Sequence, residues 1–144
     1  MRRERRLASC TNIAVIVMCR GGRGNQGRER DTLIQVFKEA HRDVALHFDF
    51  ATTNRLRTLL SLGCRALHFS GHGLPNGLCF EDGRSGLQIV GAMQLRDLLG
   101  AGGLSLKFVF VSACYSKEIG EAFVRAGVSH VVCVKIDSKV CRLL

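Results

Sequence analysis

A chain of 144 residues that is 47% apolar and 23% charged, with one proline and no tryptophan, suits a single domain and excludes a linker-rich or low-complexity protein. No apolar run approaches the ~18 residues of a membrane span, so no transmembrane helix is expected. The net charge of +9 is uneven: residues 1–30 hold eight Arg against two Glu, leaving +3 for the other 114 residues, so the basic excess belongs to the amino end.

In chain order, residues 1–10 form a basic tail opening on Met1-Arg2-Arg3-Glu4-Arg5-Arg6, and residues 11–144 form the domain. Asn12–Cys19 is a short apolar run without a small-residue cleavage site, which predicts a central strand rather than a signal peptide. Residues 20–30 are Arg/Gly-rich and predict a flexible loop. Its Arg20-Gly21-Gly22-Arg23-Gly24 resembles an RNA-binding element, but one copy without interleaved aromatics is no basis for a nucleic-acid partner. Asp31 is placed to cap a helix to about Arg42, with Leu33, Ile34, Phe37 and Ala40 at helical spacing. Residues 44–50 alternate and suit a sheet edge. Thr52 or Thr53 caps a second helix, Asn54–Leu62, which Gly63 ends.

Beyond the strand Arg65–Ser70, Leu78–Phe80 and Leu87–Val90 predict a hairpin turning through Glu81-Asp82-Gly83-Arg84, both acids serving the turn. A short helix over Met93–Leu99, a flexible Gly100–Gly103 connector, a core strand over Lys107–Ser112 and a helix over Glu118–Ala126 follow. The last strand is His130–Lys135, and no helix follows to cover the far side of the sheet. The expected fold is α/β with a mostly parallel sheet, truncated at its carboxyl end, with an exposed apolar edge at Val131–Val134 that leaves the chain dimeric, aggregating or low in stability.

Two apolar runs carry the chemistry. Leu67-His68-Phe69-Ser70 ends in Gly71-His72-Gly73, and Phe108-Val109-Phe110-Val111 ends in Ser112-Ala113-Cys114. Each delivers a reactive side chain just past a strand's carboxyl end, the edge of an open α/β sheet where ligands bind. If the two strands are neighbours, a thiol faces an imidazole, the minimum for a cysteine hydrolase. Cys114 precedes a predicted helix, whose amino end favours a thiolate; a buried structural cysteine is the plainer alternative. Glycine on both sides of His72 allows close substrate approach and leaves a backbone N–H to bind an oxyanion. His41, His47, His68 and His130 read as structural. Asp137 follows the last strand and either lines a pocket for a basic side chain or stands in solvent. The seven cysteines are odd in number and form no CxxC or zinc-spaced cluster, which predicts free thiols in a reducing, cytoplasmic setting.

A strand ending in Ser70-Gly71-His72-Gly73, a hairpin, and a strand ending in Ser112-Ala113-Cys114 together resemble the CHAT family, caspase-like proteins related to separases, metacaspases and caspases. The resemblance spans roughly residues 11–137. It implies a caspase-like three-layer α/β/α sandwich and a cysteine endopeptidase with His72 as general base and Cys114 as nucleophile. It also implies an oxyanion hole from the backbone amides of Gly73 and Cys114, and a substrate role for Asp137.

The partners implied are a protein or peptide substrate, self-association, and a larger parent protein with repeat domains. No metal, organic cofactor, nucleic acid or membrane is implied. The alternative is a catalytically incomplete interaction or signalling module on the same fold. A phosphate-binding reading is poorly supported, as no GxGxxG follows a strand and no Walker lysine exists.

Overall fold

Strands buried on both faces of a sheet are apolar nearly throughout, and the runs singled out above assemble on that principle. The computed structural model describes residues 13–18, 26–40, 44–101, 105–136 and 139–143. In chain order its elements are β1 (Ile13–Met18), α1 (Gln26–Glu39), β2 (Ala45–Phe50), α2 (Thr53–Ser61), β3 (Ala66–Ser70), β4 (Gly73–Leu74), β5 (Gly77–Glu81), β6 (Leu87–Val90), α3 (Ala92–Ala101), β7 (Phe108–Ser112), α4 (Lys117–Arg125), β8 (His130–Ile136) and β9 (Lys139–Leu143). The protein is mixed α/β. Six strands form one sheet in the order β2-β1-β3-β7-β8-β9, the first five parallel, and β4-β5-β6 form a small antiparallel sheet.

Strand alternation divides the large sheet's faces. Leu67 and Phe69 of β3, Val109 and Val111 of β7, and Val131 and Cys133 of β8 are buried. They pack in one core with Leu56, Leu59 and Leu60 of α2, Leu95, Leu98 and Leu99 of α3, and Ile119, Ala122 and Phe123 of α4. The small sheet closes this core: Leu78, Cys79, Phe80 and Val90 belong to it, and the Phe80 ring stacks on Phe69 at 5.4 Å. The opposite face carries Phe48, His68, Phe110 and Val132, the last three in one register row. There α1 sits, with the Arg30 guanidinium 5.2 Å from the Phe48 ring centre and Glu29 against His68. Helices thus lie on both faces.

β2 is the edge strand its alternation predicts, and Thr52 is the cap of α2, its hydroxyl accepting from the Arg55 N–H at 3.1 Å. Gly63 ends that helix with φ +81°. Asp82 holds the β5–β6 turn through the Arg84 and Gly86 amides at 2.7 and 2.9 Å, and those bonds keep its carboxyl below the usual value.

Three expectations are corrected. First, α1 begins at Gln26 rather than after an Asp31 cap, so residues 26–30 of the expected loop at 20–30 are helical. The segment Gln26–Arg30 is rich in good helix formers and places Glu29 in the first turn, where the helix dipole favours a carboxylate. Residues 20–25 and the basic tail at 1–10 lie outside the described residues. Second, Gly100 and Ala101 of the expected connector belong to α3; residues 102–103 are outside the described set. Third, β8 is not an exposed edge: β9 returns antiparallel along it, Cys133 standing opposite Cys141. An apolar strand left with unpaired amides is satisfied by the next segment of its own chain when the turn is short enough. Among the described residues no helix is long and apolar enough to cross a membrane.

Candidate active site

β3 and β7 are adjacent, parallel and level at their carboxyl ends, Ser70 standing opposite Ser112. His72 and Cys114 each follow two residues later, with no strand between them. The Gly71 N–H donates to the Ser112 carbonyl at 3.2 Å, which carries the pairing past the strand ends. Gly73 then lies so close to the second segment that a Cβ built on it would overlap the Cys114 carbonyl and come within 3.3 Å of the Ala113 Cβ. Only a glycine allows this approach, so its presence after His72 has a packing reason.

His72 is anchored on its other side by the Cys79 N–H, which donates to the His72 carbonyl at 2.9 Å. Pairs in an antiparallel ladder alternate between hydrogen-bonded and open. Since His72 and Cys79 are bonded, the next pair, Gly73 and Leu78, is the open kind, and the Gly73 N–H points away from β5. The His72 side chain is exposed and Cys114 is half-buried, so both are within reach of a solute.

After Cys114 the chain turns sharply. Tyr115 has φ +53°, a left-handed conformation that is costly for a bulky residue and that clusters at functional sites. Ser116, fully buried, is the N-cap residue of α4 and its carbonyl accepts from the Gly120 N–H at 2.8 Å. Cys114 therefore stands three residues before the first residue of a nine-residue helix. Asp137 lies outside the described residues.

The position within the sheet is also informative. From β1 the chain moves outward to β2, and from β3 it moves the other way to β7, so the strand order reverses between β1 and β3. Ligands in open α/β sheets bind at such a reversal, outside the carboxyl ends of the strands. His72 is attached to one of the two strands that define it.

Two further features have no signature in the sequence. A cavity of about 570 Å³ opens where β2 ends, lined by Asp49, Phe50, Thr52, Arg55, Glu81 and Leu87 among others. Of its lining, the Arg55 Nε lies 3.3 Å from the Asp49 Oδ2, an oxygen that the His47 Nε2 also approaches at 3.3 Å. Residues from separate segments compose it, and no short motif marks it. The other is a polar cluster under α1. The Glu29 Oε2 accepts from the Ser70 hydroxyl at 2.7 Å, and its Oε1 lies 2.9 Å from the His68 Nε2. The Nε2 is buried, and Glu29 is a close polar contact to it. Burial pushes the His68 imidazole below its ordinary value, outweighing the raising effect of Glu29. His68 is thus a sheet-face residue, as its mid-strand place predicts. No family model matches this chain, and no curated protein matches it.

Proposed function

We propose that the chain is a caspase-like cysteine endopeptidase, a three-layer α/β/α sandwich of the CHAT type that its two motif segments resemble. One observation carries the reading: β3 and β7 end level, and Gly73 rests against the Cys114 backbone, so the segments bearing imidazole and thiol are in contact.

In the reaction, the Cys114 sulfur attacks the carbonyl carbon of a peptide bond as its thiol proton passes to His72. The carbonyl oxygen becomes an oxyanion, which the Gly73 and Cys114 N–H groups are suited to receive; that the Gly73 N–H is directed away from β5 supports that role. Collapse of this intermediate breaks the C–N bond, with His72 returning the proton to the leaving amine. A thioester to Cys114 is left. Water then attacks the thioester with His72 taking its proton, and the acid product departs as the thiol reforms. Thiol, imidazole, backbone amides and water suffice, and the reaction calls for no metal or organic cofactor. The amino end of α4 beside Cys114 supports a thiolate.

The partner is an extended protein or peptide substrate, and a reducing cytoplasm keeps the thiol available. Self-association at this end of the sheet would use the outer edge of β9, the last strand in the order.

Labelling with a peptidyl acyloxymethyl ketone tests the proposal. The wild-type chain should take one label, on Cys114, and Cys114→Ala should take none. Equal labelling of the two would assign the fold to an interaction module instead.

A further inference from the structure

Beside the carboxyl end of β3, on the face that α1 covers, the Glu29 cluster has no part in the mechanism above. Its carboxylate is mostly withdrawn from water, at 28% side-chain exposure, beside a His68 side chain at 18%. A carboxylate in such a place is held by its donors, and the Ser70 hydroxyl at 2.7 Å is a directed one. Ser70 is the last residue of β3, and the chain leaves it as Gly71-His72-Gly73.

Two glycines around His72 give that segment little conformational preference of its own. The place of His72 relative to Cys114 is then set by anchors on either side. Downstream, the Cys79 N–H holds the His72 carbonyl at 2.9 Å. Upstream, the Gly71 N–H reaches Ser112 at 3.2 Å, and the Ser70 hydroxyl is tied across to α1. We propose that Glu29 is a positioning residue for the His72–Cys114 pair, acting through its hydrogen bond with Ser70. The inference rests on the reading of that pair as nucleophile and base. It makes α1 a part of the active-site scaffold.

The test follows alkylation of Cys114 by iodoacetamide in the full chain from pH 5 to 9, alongside the melting temperature. The variants are Ser70→Ala, Glu29→Ala, Glu29→Gln, the double Ser70→Ala/Glu29→Ala, and His72→Ala as the reference. Ser70→Ala and Glu29→Ala should each slow Cys114 at neutral pH by roughly 3- to 10-fold, short of the ~100-fold that an ångström of misplacement can cost. Their pH profiles should shift toward that of an ordinary thiol, with pKa about 8.5. The double variant should be no slower than either single one, because both remove the same bond. Glu29→Gln, whose amide oxygen still accepts from Ser70, should stay near wild type.

Wild-type rates and profiles in Ser70→Ala and Glu29→Ala would overturn the inference, as would additive losses or a Glu29→Gln as slow as Glu29→Ala. Ser70→Ala removes one hydroxyl and decides the matter alone if Glu29→Ala does not fold. If His72→Ala leaves Cys114 at its wild-type rate, the nucleophile–base reading itself fails. If His72→Ala slows Cys114 while the Ser70 and Glu29 variants do not, only the positioning role fails.

Discussion

At Gly73 the lack of a side chain decides how near two strand ends can come. A methyl group there would meet the Cys114 carbonyl and the Ala113 Cβ, both just past the end of β7, so the His72 segment would have to move away. Gly73→Ala should lower the alkylation rate of Cys114 by ~10-fold or more, since reacting groups displaced by an ångström lose far more than their share. It should cost about 1–3 kcal/mol of stability, as overpacking does, which a urea titration would register. An unchanged rate would mean that the close contact has no bearing on the thiol. His68 supplies a pH signature. Burial makes its imidazole harder to protonate in the fold than in the unfolded chain, whose value is near 6.5. Such a group stabilises the fold fully above that unfolded value, and the contribution fades as pH falls below it. Between pH 7.5 and 5 the wild type should therefore lose more stability than His68→Leu in urea unfolding. Parallel losses would contradict a depressed imidazole.

At the scale of elements, α4 links the core to the site. Its Ile119, Ala122 and Phe123 are buried, while its amino end adjoins the Cys114 turn. Phe123→Ala should cost about 3–5 kcal/mol by leaving a cavity, seen as a lowered denaturant midpoint. A loss below 1 kcal/mol would mean that the helix repacks. The core strands and the hairpin were legible because burial on two faces writes continuous apolar runs, and a turn writes Asp and Gly between two such runs. The start of α1 was not. A sequence search for a cap settles on Asp31, yet Glu29 lies four residues before Leu33 and eight before Phe37, on the same half-buried stripe. The stripe was visible, but a carboxylate in it carries no apolar signal. β9 leaves no clear signal in the sequence because Lys139–Leu143 is short and interrupted by Arg142, and its pairing is set by the unsatisfied edge of β8 rather than by its own pattern.

For the whole molecule, the order β2-β1-β3-β7-β8-β9 places β3 and β7 side by side with the reversal at β1 and β3. Sequence alone yields the strands and their reactive ends; it cannot yield adjacency, which depends on where each crossover lands. The Gly73–Cys114 contact and the Glu29–Ser70 bond were illegible for the same reason, each joining residues 41 apart. Adjacency is what turns two motifs into one site, whose chemistry depends on the coupling of His72 to Cys114. Brief iodoacetamide labelling of the native chain, read by mass spectrometry across all seven cysteines, measures that coupling directly. Cys114 should be modified fastest, and His72→Ala should slow it alone, toward the rate of an ordinary thiol. A Cys114 no faster than its fellows, or one indifferent to the loss of His72, would contradict the account.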